Sequence, residues 1–229
     1  MTTMTGTLRV LQFGDSVFPV GAFSFSNGLE SAVQQGVVRD KATLGEFVGA
    51  VTRTAATGDG VALLVAHRAA VAGDLDLVRR ADEAVQLRKL NEETRTMTVR
   101  MGRKLAEAAG HIVGESLLAR RLRDADEGGP PVTYPVAMGA LFAALDLDER
   151  EAFAAHQYGA ALMVLSAAVR LMRVDHLDIQ AILFGVNETV PAMYTQVASA
   201  GLDQMQTFAP MADVLAAAHL HAHVRMFMN

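Results

Sequence analysis

Apolar residues recur along most of this chain at spacings of three and four, the pattern of helices that bury one face. Thr43-Leu-Gly-Glu46 has the form of a capping box, which predicts a helix over 47–56 that stops before Gly58. Asp59 is placed to cap a second helix, 61–72, ended by Gly73. Asp74 starts a third, with Leu75, Val78, Ala81, Val85 and Leu87 near helical spacing. A long helix over 91–109 carries Met97, Met101, Leu105 and Ala108 on one stripe, and 111–123 continues after Gly110. Gly128-Gly-Pro-Pro131 is the clearest break. Helices over 136–145, 148–170, 178–197 and 210–227 follow. The strict alternation of a half-buried strand is rare, so no sheet is expected.

This pattern predicts an all-α, single-domain helical bundle of about eight to ten helices spanning 1–229. The Gly-Gly-Pro-Pro break is expected to be a flexible central loop, because helices on either side of it are too few to cover their own apolar faces. Residues 158–169 are apolar nearly all round, which suits a central helix or a subunit interface. Alanine and glycine are frequent on the helices and permit close helix approach.

The stretch 14–30 breaks the helical habit. Gly14, Gly21, Gly28 and Pro19 argue against a regular element over 14–21, while Phe18, Phe23 and Phe25 favour burial. An irregular N-terminal segment, 1–25, is therefore expected, pinned by aromatics. It serves either as a lid over the core or as a functional loop.

Composition narrows the chemistry. The chain has no cysteine, which excludes disulfides, thiolate zinc sites and a thiol nucleophile, and is consistent with a reducing cytoplasm. Its start lacks a basic region followed by an apolar core, so no signal peptide is expected, and no uninterrupted apolar run reaches membrane-spanning length. With a net charge of −5 and basic residues mixed among acids, nucleic-acid binding is not expected. Arg120, Arg121 and Arg123 run into Asp124, Asp126 and Glu127 and read as a solvated helix end. No phosphate loop, dinucleotide fingerprint, nucleophile elbow or His-Glu-x-x-His occurs, so no catalytic set is visible. His67, His111 and His156 are isolated and read as structural or surface histidines rather than ligands.

His219, His221 and His223 form the one suggestive cluster. Extended, all three share a side and suit a borderline cation such as nickel or zinc; on a helix only His219 and His223 do. Two ligands do not complete a site, so a polar helix face is the plainer reading. At the other limit of the tail, Arg225 and Phe227 lie close to the terminus. Phe227 there serves either as a docking anchor or as part of the protein's own core.

Three groups of residues together resemble one family. Asp15-Ser16, Pro19-Val20-Gly21, Phe23-Ser24, Ser26 and Gly28-Leu29-Glu30 are similar to the N-terminal signature of UreF-type urease accessory proteins, with Ala22 in place of a second glycine. Arg95 through Arg103 resembles the family's central R-x-x-S-x-x-M-G-R helix, with Thr98 for serine. Phe208, Pro210, Asp213, His219, Arg225 and Phe227 resemble its C-terminal ending. Departures fall at Tyr134, where histidine is common, at Arg173–His176 in place of a P-L-G-Q turn (Gln180 remains), and at Leu220 in place of glutamate.

The resemblance implies a dimeric, non-catalytic, cytoplasmic helical protein of nickel-urease maturation without a cofactor of its own. Its partners would be a UreD/UreH-type accessory protein, a UreG-type GTPase and apo-urease, with nickel passing through the complex. The implied partner-binding residues are Pro19, Phe23, Ser26, Gly28, Glu30, Arg95, Arg103, Gln180, His219, Arg225 and Phe227, the tail 219–229 facing the UreD-type protein. Two other readings stand beside it: a helical nickel- or zinc-binding protein using the histidine triplet, and a helical enzyme with a scattered site.

Overall fold

Residues 4–14, expected to be irregular, form a helix instead. A computed structural model of the chain describes residues 3–207, 215 and 226–228. In it α1 (Met4–Gly14) is capped by Thr3, whose hydroxyl accepts the Gly6 N–H at 3.0 Å. Gly6, Val10 and Phe13 lie on one face, and α1 packs on a later helix, α9 (Glu149–Leu171). That packing, rather than local propensity, makes it helical, since Thr and Gly are poor helix formers. The irregular path is confined to about 15–28 and contains one 3₁₀ turn, Ala22–Ser24.

Beyond it the remaining elements are α2 (Leu29–Gln34), α3 (Lys41–Ala55), α4 (Val61–Ala72), α5 (Leu75–Arg88), α6 (Glu92–Ile112), α7 (Leu117–Asp126), α8 (Tyr134–Ala144), α9 and α10 (His176–Val197). These are ten α-helices with no strand among the described residues, as the periodicity predicts. The cap of α3 is Asp40 rather than Thr43: Asp40 Oδ1 accepts the Thr43 N–H at 2.8 Å, and Thr43 Oγ1 accepts the Asp40 N–H at 3.1 Å.

Gly58 does not end α3, and Asp59 does not cap α4. The chain passes from α3 to α4 through a π-helical turn, Ala56–Gly60, with helical dihedrals throughout. The glycines serve packing here. A Cβ on Gly60 would come within 2.6 Å of the Phe153 ring, and one on Gly58 within 2.6 Å of Thr207. Likewise α6 runs through Gly110, and the chain turns at Gly114, which has φ of +83°. Ser116 then caps α7.

α8 is the central element, packed against α4, α6 and α9 with nearly every side chain buried. It crosses α4 so closely that Gly139 leaves no room for a Cβ against the Leu63 carbonyl. A second core joins α2, α3, the C-terminal half of α9 and α10, and includes Leu215 and Phe227. By length and composition α9 could cross a bilayer, yet more than half of that stretch is buried against the other helices.

The Gly128–Pro131 loop is anchored rather than free. Gly129 donates to the Asp124 carbonyl at 2.9 Å, Gln86 donates to the Pro131 carbonyl at 3.2 Å, and Arg121 donates to that of Pro130. Arg121 also overturns the solvated-face reading. Its side chain is 0 % exposed, and its Nε donates to the equally buried Asp82 at 2.8 Å. Asp82 Oδ1 accepts both the backbone N–H and the hydroxyl of Thr133 at 2.7 and 2.8 Å. Asp124 receives Arg121 Nη1 at 3.0 Å and is paired with Arg79. The cluster clamps α5, α7 and the start of α8. Burial pushes Asp82 up to about 7 against the pull of Arg121 and Thr133.

Candidate functional site

The signature stretch and the chain end meet. Gly28 is buried with φ of +84°, which starts α2 at the angle that brings Ser26 and Glu30 inward. Ser26 Oγ accepts the Glu30 N–H at 3.3 Å. Glu30, only 2 % exposed, accepts the backbone N–H of Met226 at 2.8 Å and of Phe227 at 3.0 Å through its two carboxylate oxygens. A charged acceptor shared by two amides is a strong form of hydrogen bond. Met228 N–H donates to the Ser24 carbonyl at 2.9 Å.

Arg170, the charge that ends the apolar run of α9, locks this junction. Its Nη2 donates to the Phe23 carbonyl at 2.9 Å, and its guanidinium lies 4.1 Å from the centre of the Phe227 ring. Phe227 is 5 % exposed and belongs to the second core, the alternative left open for it by sequence. Phe18 and Phe25 are inside, Phe18 packing 5.0 Å from Phe13 between ring centres. Phe23 departs from the expected burial: the 3₁₀ turn after Gly21 directs it outward, and it is 71 % exposed.

Of the predicted site residues, Ser26, Gly28, Glu30 and Phe227 are thus together, with Phe23 and the exposed Pro19 on the same segment. Arg95 and Arg103 are exposed on α6. Arg95 donates to the Lys89 carbonyl at 3.1 Å, whereas Arg103 pairs with Glu107 and Asp126 towards α7. Gln180 stands on the outer face of α10 near the exposed Leu177 and Phe184. His219, His221, His223 and Arg225 lie outside the described residues, as does the predicted helix 210–227 apart from Leu215 and 226–227. Among the described residues no group of three His, Asp or Glu is arranged to hold a metal ion.

Beside the signature loop opens a cleft of about 640 Å³ between that loop, α3, α6, α8 and α9. Its floor holds His156 and Tyr134, ring centres 6.1 Å apart, and the ion pair of Lys89 with Asp59 on the π-helical turn, 2.7 Å. Desolvation drives His156 down to about 4, with Asp59 opposing and Lys89 assisting, so the ring is neutral near pH 7. Burial alone pushes Tyr134 up to about 12. Neutral rings and an internally compensated ion pair suit packing and hydrogen bonding. Sequence reasoning missed this cleft because its residues come from six separate stretches of the chain. The Gly58-Asp59-Gly60 anomaly was the available signal.

Similarity to known proteins covers nearly the whole chain. The family model for UreF matches residues 38–187. A Brucella canis protein named urease accessory protein UreF 2 is 54 % identical over 227 residues, 99 % of this chain and 93 % of its own length. Urease accessory protein UreF 1 of Brucella melitensis is 53 % identical over 99 % of this chain and 94 % of its own. Urease accessory protein UreF of Yersinia enterocolitica is 51 % identical over 97 % of both. With the model match, these likenesses over nearly the full length establish that the chain belongs to the UreF family.

Proposed function

We propose that this protein is a non-catalytic accessory scaffold of nickel-dependent urease maturation in the cytoplasm. It bridges a UreD/UreH-type partner and a UreG-type GTPase so that nickel reaches apo-urease, and it carries no cofactor of its own. The supporting observation is the Glu30 junction, which joins two segments nearly 200 residues apart into one preformed surface. The names of the full-length relatives support the urease connection. Holding two partners in one geometry raises their effective concentration, and no nucleophile or general base is needed for that.

The scaffold acts as a homodimer through the cleft. Tyr158, Leu162 and Ser166 follow one another at helical spacing on α9 and are not fully buried. Leu162 and Ser166 line the cleft together with Phe47 and Ala50 of α3. Gly159 sits mid-helix, where glycine costs about 0.5–1 kcal/mol relative to alanine. A Cβ there would meet no described atom within 4 Å, so nothing in the described fold requires it. A second chain packing closely does.

Two measurements test this reading. Co-expression with the UreD/UreH-type and UreG-type proteins of the same urease system is expected to give a complex that co-purifies and activates urease. Failure of both partners to co-purify contradicts the scaffold. Sedimentation equilibrium is expected to give twice the chain mass for wild type and the single-chain mass for Gly159→Arg at unchanged helicity. A dimeric Gly159→Arg protein contradicts the cleft as the dimer face.

A further inference from the structure

Two long helices of this fold meet solvent in opposite ways. On α6 eight positions are exposed, and six of them are charged: Glu92, Arg95, Arg100, Arg103, Lys104 and Glu107. From Leu177 to Gln196 on α10 twelve positions are exposed, and one, Glu188, is charged. The solvent side of a surface helix ordinarily carries charged and polar residues. Here Leu177, Ala181, Phe184, Glu188 and Ala192 follow one another at spacings of three and four and form one stripe. Leu177 is 79 % and Phe184 69 % exposed, while the opposite face, with Ile179, Leu183, Val186 and Val190, already fills the core. Two backbone features accompany the stripe. Gly185 is exposed, and a Cβ there would meet nothing within 4 Å, so no neighbour requires a glycine in mid-helix. Pro191 has no N–H, which takes from the Asn187 carbonyl its helical donor, and both residues are exposed. A carboxylate and a backbone acceptor without its helical donor thus come from adjacent residues in an otherwise uncharged field. No α10 residue lines the cleft, and none bonds to Glu30 or Arg170 at the chain ends.

We infer that the outer face of α10 docks an apolar helix of a partner protein that carries one arginine. Phe184 and Leu177 supply the apolar contact, and the small side chains at 181, 185 and 192 let a second helix approach closely. Charge complementarity sets the arginine: its planar fork donates several hydrogen bonds at once and suits a carboxylate beside a carbonyl, here Glu188 and Asn187. A second copy of this chain does not fit. It offers the same stripe, which holds no cation, so a two-fold contact would bury both Glu188 side chains unpaired. A nucleic acid or an anionic lipid surface does not fit either, because both demand basic residues on the docking face. The inference rests on the scaffold reading, in which bridging two partners takes two docking surfaces. With the chain ends expected to face the UreD/UreH-type protein, the partner to try on α10 is the UreG-type GTPase.

The test uses the full chain in its co-purified complex with the UreD/UreH-type protein. Wild type, Phe184→Glu and Glu188→Lys complexes are titrated with the purified UreG-type GTPase, and each chain is also weighed by sedimentation equilibrium. Thermal melting is expected to be the same for all three, because both side chains are exposed. Should Phe184→Glu melt early, Phe184→Ser carries the comparison. The expected result is GTPase binding weakened roughly tenfold or more by Phe184→Glu and by Glu188→Lys, with the UreD/UreH-type protein retained and the chain's own mass unchanged. Wild-type GTPase binding that survives both substitutions overturns the inference and leaves the scaffold reading intact. Absence of GTPase binding by the wild-type complex overturns the scaffold reading and the inference with it. A fall in the chain's own mass on Phe184→Glu shows that a second copy covers the stripe, and loss of the UreD/UreH-type protein with GTPase binding intact shows that the other partner does; either result overturns the inference.

Discussion

Two charged regions of this molecule handle the same residue types in opposite ways. In the α5–α7–α8 clamp, Arg121, Asp82, Asp124 and Arg79 satisfy one another, and Thr133 takes the remaining lone pair. At the junction of the chain ends one carboxylate, Glu30, is also consumed internally, by backbone amides, and Arg170 by the Phe23 carbonyl and the Phe227 ring, but Arg100 and Lys104 of α6 beside it stay exposed. Buried charge survives only when fully paired, because desolvation is costly. The clamp therefore specifies how helices meet across the Gly-Gly-Pro-Pro loop, and the junction presents a surface. A sequence reader sees arginine in both and cannot separate them.

Breaking the clamp is expected to have the largest effect. Asp82→Ala leaves buried Arg121 with Asp124 as its remaining counter-charge and strips Thr133 of its acceptor, a loss of roughly 3–5 kcal/mol. Replacing the pair together, Asp82→Leu with Arg121→Met, is expected to recover much of that. Thermal and urea unfolding measure both. A single mutant within about 0.5 kcal/mol of wild type would mean that the clamp is not a determinant of stability.

The junction is expected to respond less. Phe227→Ala removes a ring from the second core and from beneath Arg170, at a cost of about 3 kcal/mol, the lower end of the range for buried phenylalanine. Deleting the last residues should then lower the melting temperature, whereas a pure docking tail would leave it unchanged. Unfolding curves decide between the two.

The cleft offers the smallest and most graded effect. His156 is held near 4 when folded and titrates near 6.5 when unfolded, so the unfolded chain binds the extra proton in between. Its contribution is complete above pH 6.5 and is lost as pH falls towards 4, at most about 3 kcal/mol. Asp82, raised by burial, has the opposite sign in part of that window. The informative quantity is therefore the difference between wild type and His156→Gln. Wild type is expected to lose stability more steeply than the variant over that window. Parallel curves would show that His156 is solvated.

Much of the bundle was legible from pattern because local signals and packing agreed. The helix between Gly60 and Gly73, the start at Asp74, and the long helices α6 and α9 need no tertiary knowledge. The failures share a cause. α1 is helical because α9 covers it, Gly58 and Gly60 are small because Thr207 and Phe153 approach them, and Arg121 is buried because Asp82 waits 39 residues earlier. In each, a contact distant in sequence overrode a local reading. At the site, Glu30 and Phe227 could be named, but their bond to each other could not, and Arg170 showed only as the charge that ended an apolar run.

Hydrogen exchange of the wild-type protein, alone and with the UreD/UreH-type partner, tests most directly whether the outward-facing junction docks while the clamp holds the fold. The account predicts new protection over residues 21–30, around Arg100 and Lys104 of α6 and at 226–228, with exchange in α5, α7 and the start of α8 unchanged. Protection appearing across the clamp, with the junction exchanging as freely as in the isolated protein, would contradict it.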